Sequence, residues 1–355
     1  MPALESIGWD DRLSRLYEPA PGVAPGRVSI QHRGAYDVLT EHGELRCEVV
    51  RRLVHEAAGP ADLPVVGDWV VVALGAGAGA GTITAVLPRR TRFSRKTAWQ
   101  AAEEQVLAAN IDVVFLVASM NEDLNLRRLE RYLILAFESG ARPVIVLTKA
   151  DLHPAPEAAL AEVRAIAGDV AVHAISSRTG LGLDAVRALL GPGCTAVLLG
   201  SSGVGKSTLV NTLAGEELLA TQEIREDGRG RHTTTRRELI QLPTGGLVID
   251  TPGIREVQLW VADEGIEEAF EDVTGLFEHC RFSDCAHDRE PGCAVRAALA
   301  EGTLADDRWE SYLKLQAELA VLARKLDKRA ASEERKRWKT LAQEGRERLR
   351  LKGKG

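Results

Sequence analysis

The sequence predicts an α/β protein in three parts: a small five-stranded barrel, a mainly parallel sheet covered by helices on both faces, and a helical C-terminal region built around a cysteine cluster. Three observations lead there. Short β-rich runs separated by turn signals fill residues 27–88. From 112 to 250, continuously apolar runs alternate with helical stretches, the pattern of strands buried on both faces. After about Ala262 the strand pattern stops, and three cysteines fall within fourteen residues.

The first part is assigned to residues 1–95. Its runs are RVSIQ, AYDVLT, ELRCEVV, WVVVAL and TITAVL, separated by turn signals such as HRG, EHG and the GAGAGAG of 75–81. Five short strands in so short a stretch suit a small closed barrel. The favoured form is an OB-fold, which commonly binds nucleic acid; an SH3-like barrel would give a similar pattern.

The second part is assigned to residues 96–262. Its strand runs are DVVFLVAS (112–119), PVIVLTK (143–149), VAVHAIS (170–176) and TAVLLG (195–200). Helical sequence lies between them in LRRLERYLILAFES, PEAALAEVRAIAG and GLDAVRALL. RELIQL (237–242) and GLVID (246–250) add two strands, a candidate hairpin. The third part, 263–355, holds the cysteines and then the helical run DDRWESYLKLQAELAVLARKL.

Bulk properties agree with a folded chain of two or three domains. Of its 355 residues, 45% are hydrophobic and 27% charged, the balance of a soluble globular protein. No apolar run approaches the roughly 20 residues needed to cross a bilayer, and the first twenty residues lack the basic start and apolar core of a signal peptide. A cytoplasmic protein with no membrane partner is expected. The cysteines are Cys47, Cys194, Cys280, Cys285 and Cys293. An odd, clustered set argues for metal ligands or free thiols in a reducing compartment. The net charge of −6 is uneven: from Arg324 to Gly355 there are thirteen Lys/Arg and five Asp/Glu, an excess of +8, so the rest carries −14. A basic tail on an acidic body suits contact with a polyanion, although a solvated helix face would look the same.

The chemistry-bearing motifs begin at Gly200-Ser201-Ser202-Gly203-Val204-Gly205-Lys206-Ser207, which fits G-x-x-x-x-G-K-[ST] at every fixed position. Glycines let backbone N–H groups turn toward phosphates; Lys206 would reach the β- and γ-phosphates, and Ser207 would ligate Mg²⁺. An apolar strand precedes the loop and STLVNTLAG follows as a helix, whose positive end adds to the anion site. In Val248-Ile249-Asp250-Thr251-Pro252-Gly253, Asp250 at a strand end suits a carboxylate that orients Mg²⁺, and the Gly253 N–H is placed to meet a γ-phosphate. Between them, TQEIREDGRGRHTTTRR (221–237) is polar and without apolar period. It suits a loop that orders around γ-phosphate and Mg²⁺, with Thr233, Thr234 or Thr235 as the switch threonine. Spacing does not choose among them.

Thr148-Lys149-Ala150-Asp151 resembles the N-K-x-D that reads guanine. A carboxylate at Asp151 would accept from the guanine N1–H and exocyclic amine, a pair adenine does not present, and the Lys149 stem would pack along the base. Thr in place of Asn is expected to weaken the local tether. Ser176-Ser177, after the next strand, would complete the base pocket. The guanine reader here precedes the phosphate loop by about fifty residues, the reverse of the usual order. A sheet keeps its sites at the carboxyl ends of its strands whatever the connectivity. A P-loop GTPase domain cut between its third and fourth strands, with the old ends joined through 180–194, gives this order. The central part therefore reads as a circularly permuted GTPase domain. The residue after Gly253, where many GTPases place a water-positioning Gln, is Ile254, so intrinsic hydrolysis should be slow. His232 is the nearest polar candidate for a catalytic role, beside Lys206 and Thr234; an exposed loop histidine is the plain alternative.

Cys280-x4-Cys285-x-His287-x5-Cys293 offers three thiolates and one imidazole, a set that suits a closed, structural tetrahedral Zn²⁺ site. Reduced loop thiols are the alternative.

The permuted order, the GRHTTT stretch and this cysteine spacing together resemble the ribosome small-subunit-dependent GTPase A family (RsgA/YjeQ), over about residues 27–300. The resemblance implies an N-terminal OB-fold, a circularly permuted GTPase domain and a C-terminal zinc domain. It implies GTP hydrolysis to GDP, stimulated by the small (30S) ribosomal subunit during late maturation. It places guanine contacts on Thr148, Lys149 and Asp151, phosphate contacts on Gly200 through Thr208, and zinc on Cys280, Cys285, His287 and Cys293. It also raises His232 as a catalytic candidate. A monomer that contacts 16S rRNA is expected, with the basic tail as one contact. Two rival readings are a P-loop ATPase or kinase, and a nucleotide-gated RNA-binding module with another target.

Overall fold

The computed structural model describes residues 3–75, 79–96, 104–121, 124–219, 237–250, 263–317 and 319. The chain divides into two compact units, one from Met1–Arg95 and Glu104–Asp272, the other from Lys96–Glu103 and Val273–Gly355.

The first unit opens with a short helix, α1 (Asp11–Leu16), whose N-cap Asp10 accepts from the Leu13 N–H. The barrel follows: β1 (Val23–Gln31), β2 (Tyr36–Thr40), β3 (Gly43–Val49), β4 (Trp69–Leu74) and β5 (Ala80–Val86), with α2 (Arg51–Glu56) between β3 and β4. Strand order is β1-β2-β3-β5-β4, and β4 pairs back to β1. Only the β3–β5 pairing among these is parallel. This closed five-stranded circuit decides for the OB-fold over the SH3-like alternative. Alternate residues point inward, so Val28, Val38, Leu45, Cys47, Val70, Val72 and Ile83 form one core. At Gly26 the strands approach so closely that a Cβ would stand 2.5 Å from the Val38 side chain.

A two-stranded pair, β6 (Arg92–Lys96) and β7 (Glu104–Ala109), leads out of the barrel. The sequence reading had no strand there, because TRFSRKTAWQAAEEQVLAAN mixes charge with small residues and shows no period. The main sheet contains β8 (Val113–Ser119), β9 (Arg142–Thr148), β10 (Val172–Ala174), β11 (Thr195–Leu199), β12 (Glu238–Gln241) and β13 (Leu247–Asp250). Its order is β10-β9-β8-β11-β13-β12. The first five run parallel, and β12 forms the expected antiparallel hairpin with β13. β12 also pairs with β1 through Ile30 and Glu238, so the sheet runs on into the barrel. All seven residues of β8 are buried, as a central strand covered on both faces requires.

Helices α3 (Leu126–Glu138), α4 (Pro156–Ala167), α5 (Leu183–Ala188) and α6 (Lys206–Ala214) fall in the connections. Asn125 caps α3 by accepting from Arg128 N–H, and Pro156 opens α4 where its missing N–H costs nothing. α7 (Asp263–Ala269) packs against α3. A buried ion pair fixes the end of the barrel: Asp68 takes Nε and Nη2 of Arg89, each at 2.8 Å, and Arg89 also donates to the Ala61 and Leu63 carbonyls.

The second unit contains a 3₁₀ turn (Phe277–His279), α8 (Ala294–Glu301) and a helix over 306–317. Among the described residues, no helix is long and apolar enough to cross a membrane.

Candidate nucleotide site and metal centre

The motif segments singled out in the sequence stand at the carboxyl ends of β9, β10, β11 and β13, all parallel strands of one sheet. The phosphate loop follows β11. Gly200, Gly203 and Gly205 hold φ of 156°, 78° and 99°, and a Cβ at Gly200 would stand 2.3 Å from the Val117 carbonyl. Only glycine meets both demands. Val204 is buried beneath the loop, while Ser201, Ser202 and Gly203 face outward at its rim. Lys206 and Ser207 form the first turn of α6, with Thr208 exposed behind them. Lys206 Nζ donates to the Gly200 and Ser201 carbonyls, at 2.7 and 2.6 Å, and so lies folded against the rim. Backbone N–H groups at such a turn, with the helix dipole behind them, suit a phosphate chain.

The Thr148–Asp151 segment, expected from the sequence to read guanine, follows β9, two strands away across β8. Thr148 is buried, and its hydroxyl lies 2.5 Å from the Val204 carbonyl and 3.3 Å from that of Ala118. The Thr148 hydroxyl thus reaches the phosphate loop directly. Lys149 sits at φ 60°, a left-handed backbone rare for a residue with a Cβ, and its Nζ donates to the Gly203 carbonyl at 3.1 Å. Ala150 is buried, its N–H donating to Ile175. Asp151 is held by the Ser176 hydroxyl and by Arg178, whose Nε and Nη2 lie 2.9 and 2.8 Å from Oδ2. The Ser176 bond foremost, and Arg178 with it, hold the carboxyl below its ordinary range despite partial burial. Ser176 is buried and Ser177 half-buried beside it.

Asp250 ends β13, one residue past the Val197–Ile249 pairing with the phosphate-loop strand. Asp250 and Ser207, both half-buried, thus follow neighbouring strands, and each offers an oxygen of the kind Mg²⁺ takes. His232, Thr233, Thr234, Thr235, Gly253, Ile254 and the basic stretch 324–355 lie outside the described residues. The sequence reading missed Arg178; its one signal is a cation directly after Ser176-Ser177.

In the second unit, Cys280, Cys285, His287 and Cys293 bring one ligand atom each within 4.8 Å of one another, so they could hold a metal ion. His287 presents Nδ1, which lies 3.6 Å from Cys280 Sγ and 3.5 Å from Cys293 Sγ. Zn–N near 2.0 Å and Zn–S near 2.3 Å at tetrahedral angles require about 3.5 Å between such atoms. The donor set therefore fits Zn²⁺. Burial opposes ionisation of Cys280, but the Ala294 and Val295 N–H groups opening α8, with the neighbouring thiols, outweigh it and lower that thiol. An aromatic wall fixes the imidazole: Phe277 stacks on it at 4.3 Å, and Trp309 meets it edge-on at 5.9 Å. Tyr312 in turn stacks on Trp309. These aromatics were not legible as a set, since Trp309 lies thirty-two positions after Phe277.

Comparison with known proteins sharpens the picture. A family model described as RsgA GTPase matches residues 86–260. The small ribosomal subunit biogenesis GTPase RsgA of Opitutus terrae is 50% identical over 99% of this chain and 99% of its own length. Its counterpart in Streptomyces coelicolor is 46% identical over 95% and 92%. The crystal structure of YjeQ from Thermotoga maritima superposes with a TM-score of 0.65 at 27% identity, covering 84% of this chain and 99% of that one. YloQ, described as a circularly permuted GTPase, shares the fold with a TM-score of 0.62 at 24% identity, over 84% and 95%.

Proposed function

The chain belongs to the RsgA GTPase family, and from that premise we propose that it binds the small (30S) ribosomal subunit late in the subunit's maturation, where contact with the particle stimulates hydrolysis of GTP to GDP and phosphate. The observation that carries the nucleotide reading is the junction of the two loops: Thr148 and Lys149 bond directly to the Val204 and Gly203 carbonyls. One ligand can therefore meet the guanine reader and the phosphate loop together.

In this reading Asp151, ionised at neutral pH, accepts from the guanine edge, with Ser176 and Ser177 beside it and Lys149 along the base. Backbone N–H groups of Gly200 through Thr208 take the phosphates. Lys206 leaves its two carbonyls to neutralise charge as it develops on the β- and γ-phosphates. Ser207 and Asp250, with Thr234, would hold Mg²⁺, which supplies charge neutralisation between the phosphates. Gly253 would meet the γ-phosphate. Ile254 offers no group to orient water, so His232 is assigned that role, and His232→Ala should lower turnover without raising the Kd for GTP.

Cys280, Cys285, His287 and Cys293 hold a structural Zn²⁺. The OB-fold barrel (1–95) and the zinc-bearing helical part (263–355) contact 16S rRNA while the part over 96–262 holds the nucleotide, and the basic tail adds phosphate contacts. The protein acts as a cytoplasmic monomer. The deciding experiment is GTP turnover with and without purified small subunits. Turnover that does not rise would favour another RNA target.

A further inference from the structure

A cavity of about 550 Å³ opens in the first unit at the edge of the sheet away from the nucleotide loops. Its wall includes Asp112, just before β8, together with Arg142 and Thr195, the first residues of β9 and β11. Seven residues of β8, at about 3.3 Å each, separate the two edges by roughly 20 Å. The site is distinct from the nucleotide pocket.

Four guanidinium groups line it: Arg12, Arg27, Arg90 and Arg142. Asp112, set among them, is already committed, one oxygen to Arg90 and the other to the Thr195 N–H at 2.7 Å. The carboxylates of Glu5 and Asp10 also reach the wall, and Asp10 is engaged in capping α1. Arg27 is buried, yet its N–H groups meet only the carbonyls of Ile7, Gly67 and Asn110, and its cation lies 5.6 Å from the Trp69 ring. It brings a positive charge into the interior with no carboxylate bonded to it among the described residues. Arg142 is exposed at the wall.

Two further groups point to an acceptor. Arg12 Nε and Thr195 Oγ1 are buried, and neither has a hydrogen-bond partner among the described residues. Thr195 as a whole has no solvent exposure. An unmet buried polar group costs about 1–3 kcal/mol. Arginine Nε can only donate, and a hydroxyl can donate, so the complement of this wall is an oxygen-rich anion. The donors come from three chain segments rather than one plane, which suits a tetrahedral oxyanion better than a flat carboxylate. The remaining volume, beside Trp9 and Trp69, leaves room for an organic group.

We propose that this cavity binds a small phosphate-bearing molecule through Arg12, Arg142 and Thr195. The test uses the full chain with its nucleotide site saturated by GDP and Mg²⁺, titrated calorimetrically with inorganic phosphate and, separately, with phenyl phosphate. One further site is expected for at least one of them. Tighter binding of phenyl phosphate marks an organic phosphate as the ligand; equal or tighter binding of inorganic phosphate marks the free ion. Thr195→Val and Arg142→Gln should each weaken that binding about tenfold, while GDP affinity is unchanged in both. Thr195→Val should melt no lower than the parent, because it removes an unmet hydroxyl. No binding beyond the nucleotide site, or equal affinity in the parent and both variants, overturns the proposal.

Discussion

The Thr148 hydroxyl donates to the Val204 carbonyl at 2.5 Å, so the segment proposed to read the base is latched to the loop proposed to take the phosphates. A longer Asn is not needed for this, because the loops already approach: a Cβ at Gly205 would lie 3.6 Å from Thr148 Oγ1. Thr148→Val keeps the shape and removes the donor. The Val204 carbonyl then loses a buried partner, at a cost of about 1–3 kcal/mol. The latch belongs to the pocket as a whole, so GTP and GDP should weaken by the same factor, with a lowered Tm. Fluorescent-nucleotide titrations and a melt check this. Loss confined to GTP would show that the latch acts on the γ-phosphate instead.

Asp151 gives a specificity prediction and a pH prediction. Asp151→Asn replaces an acceptor with a donor opposite the guanine N1–H. Hydrogen bonds to charged groups contribute about 1.5–3 kcal/mol, so GTP affinity should fall roughly 10- to 150-fold, and xanthosine triphosphate should recover it. The folded carboxyl titrates below its ordinary value, the Ser176 hydroxyl being the main cause and Arg178 the second. The sign follows: its contribution is fully present above the unfolded value of about 3.9 and is lost only as pH falls through the lower folded one. Binding through Asp151 should stay level from pH 8 down to about 5. A midpoint between 5 and 7 in the Kd profile would assign the titration to another group.

The sequence carried this site unusually far, and the reason is physical. Phosphate loops, strand ends and thiolate clusters are short-range patterns whose chemistry fixes both residue type and spacing, so Gly200–Ser207 and Cys280–Cys293 are legible without a fold. The strands themselves were legible too, because buried parallel strands such as 113–119 read as unbroken apolar runs. What stayed hidden depends on distant pairs. The buried Asp68–Arg89 bridge spans twenty-one residues, and the Arg27 guanidinium bonds a carbonyl eighty-three residues away. The β12–β1 pairing that joins barrel to sheet involves Ile30 and Glu238, and neither side chain advertises it.

Arg178 holds the Asp151 oxygen that guanine would use, while its own side chain is 74% exposed. An exposed ion pair of this kind contributes about 0–1 kcal/mol, so it competes with the base but does not block it. Arg178→Ala should therefore tighten both GTP and GDP by roughly two- to fivefold. Equilibrium titration of both nucleotides reads this directly. Weaker binding in the variant would mean that Arg178 touches the nucleotide, and its pairing with Asp151 would then be incidental.

The four metal-site residues lie in one compact unit, and every described nucleotide-site residue lies in the other. This separation predicts that zinc and basal catalysis can be uncoupled. Cys293→Ser removes a metal donor at the N-cap position of α8, where the Cys293 side chain makes no cap hydrogen bond, so the helix start is kept while the metal loses a ligand. Structural zinc sites supply folding energy directly, and removing one ligand should bring zinc well below one equivalent per chain by elemental analysis. Basal GTP turnover should stay within about threefold of the parent, because Lys206, Asp151 and Asp250 are untouched. The increment added by small ribosomal subunits should disappear, because the zinc-bearing unit is proposed to grip the particle. A variant that loses zinc yet keeps the full increment would remove that unit from ribosome contact; one that loses basal turnover as well would show that the two units share the nucleotide chemistry.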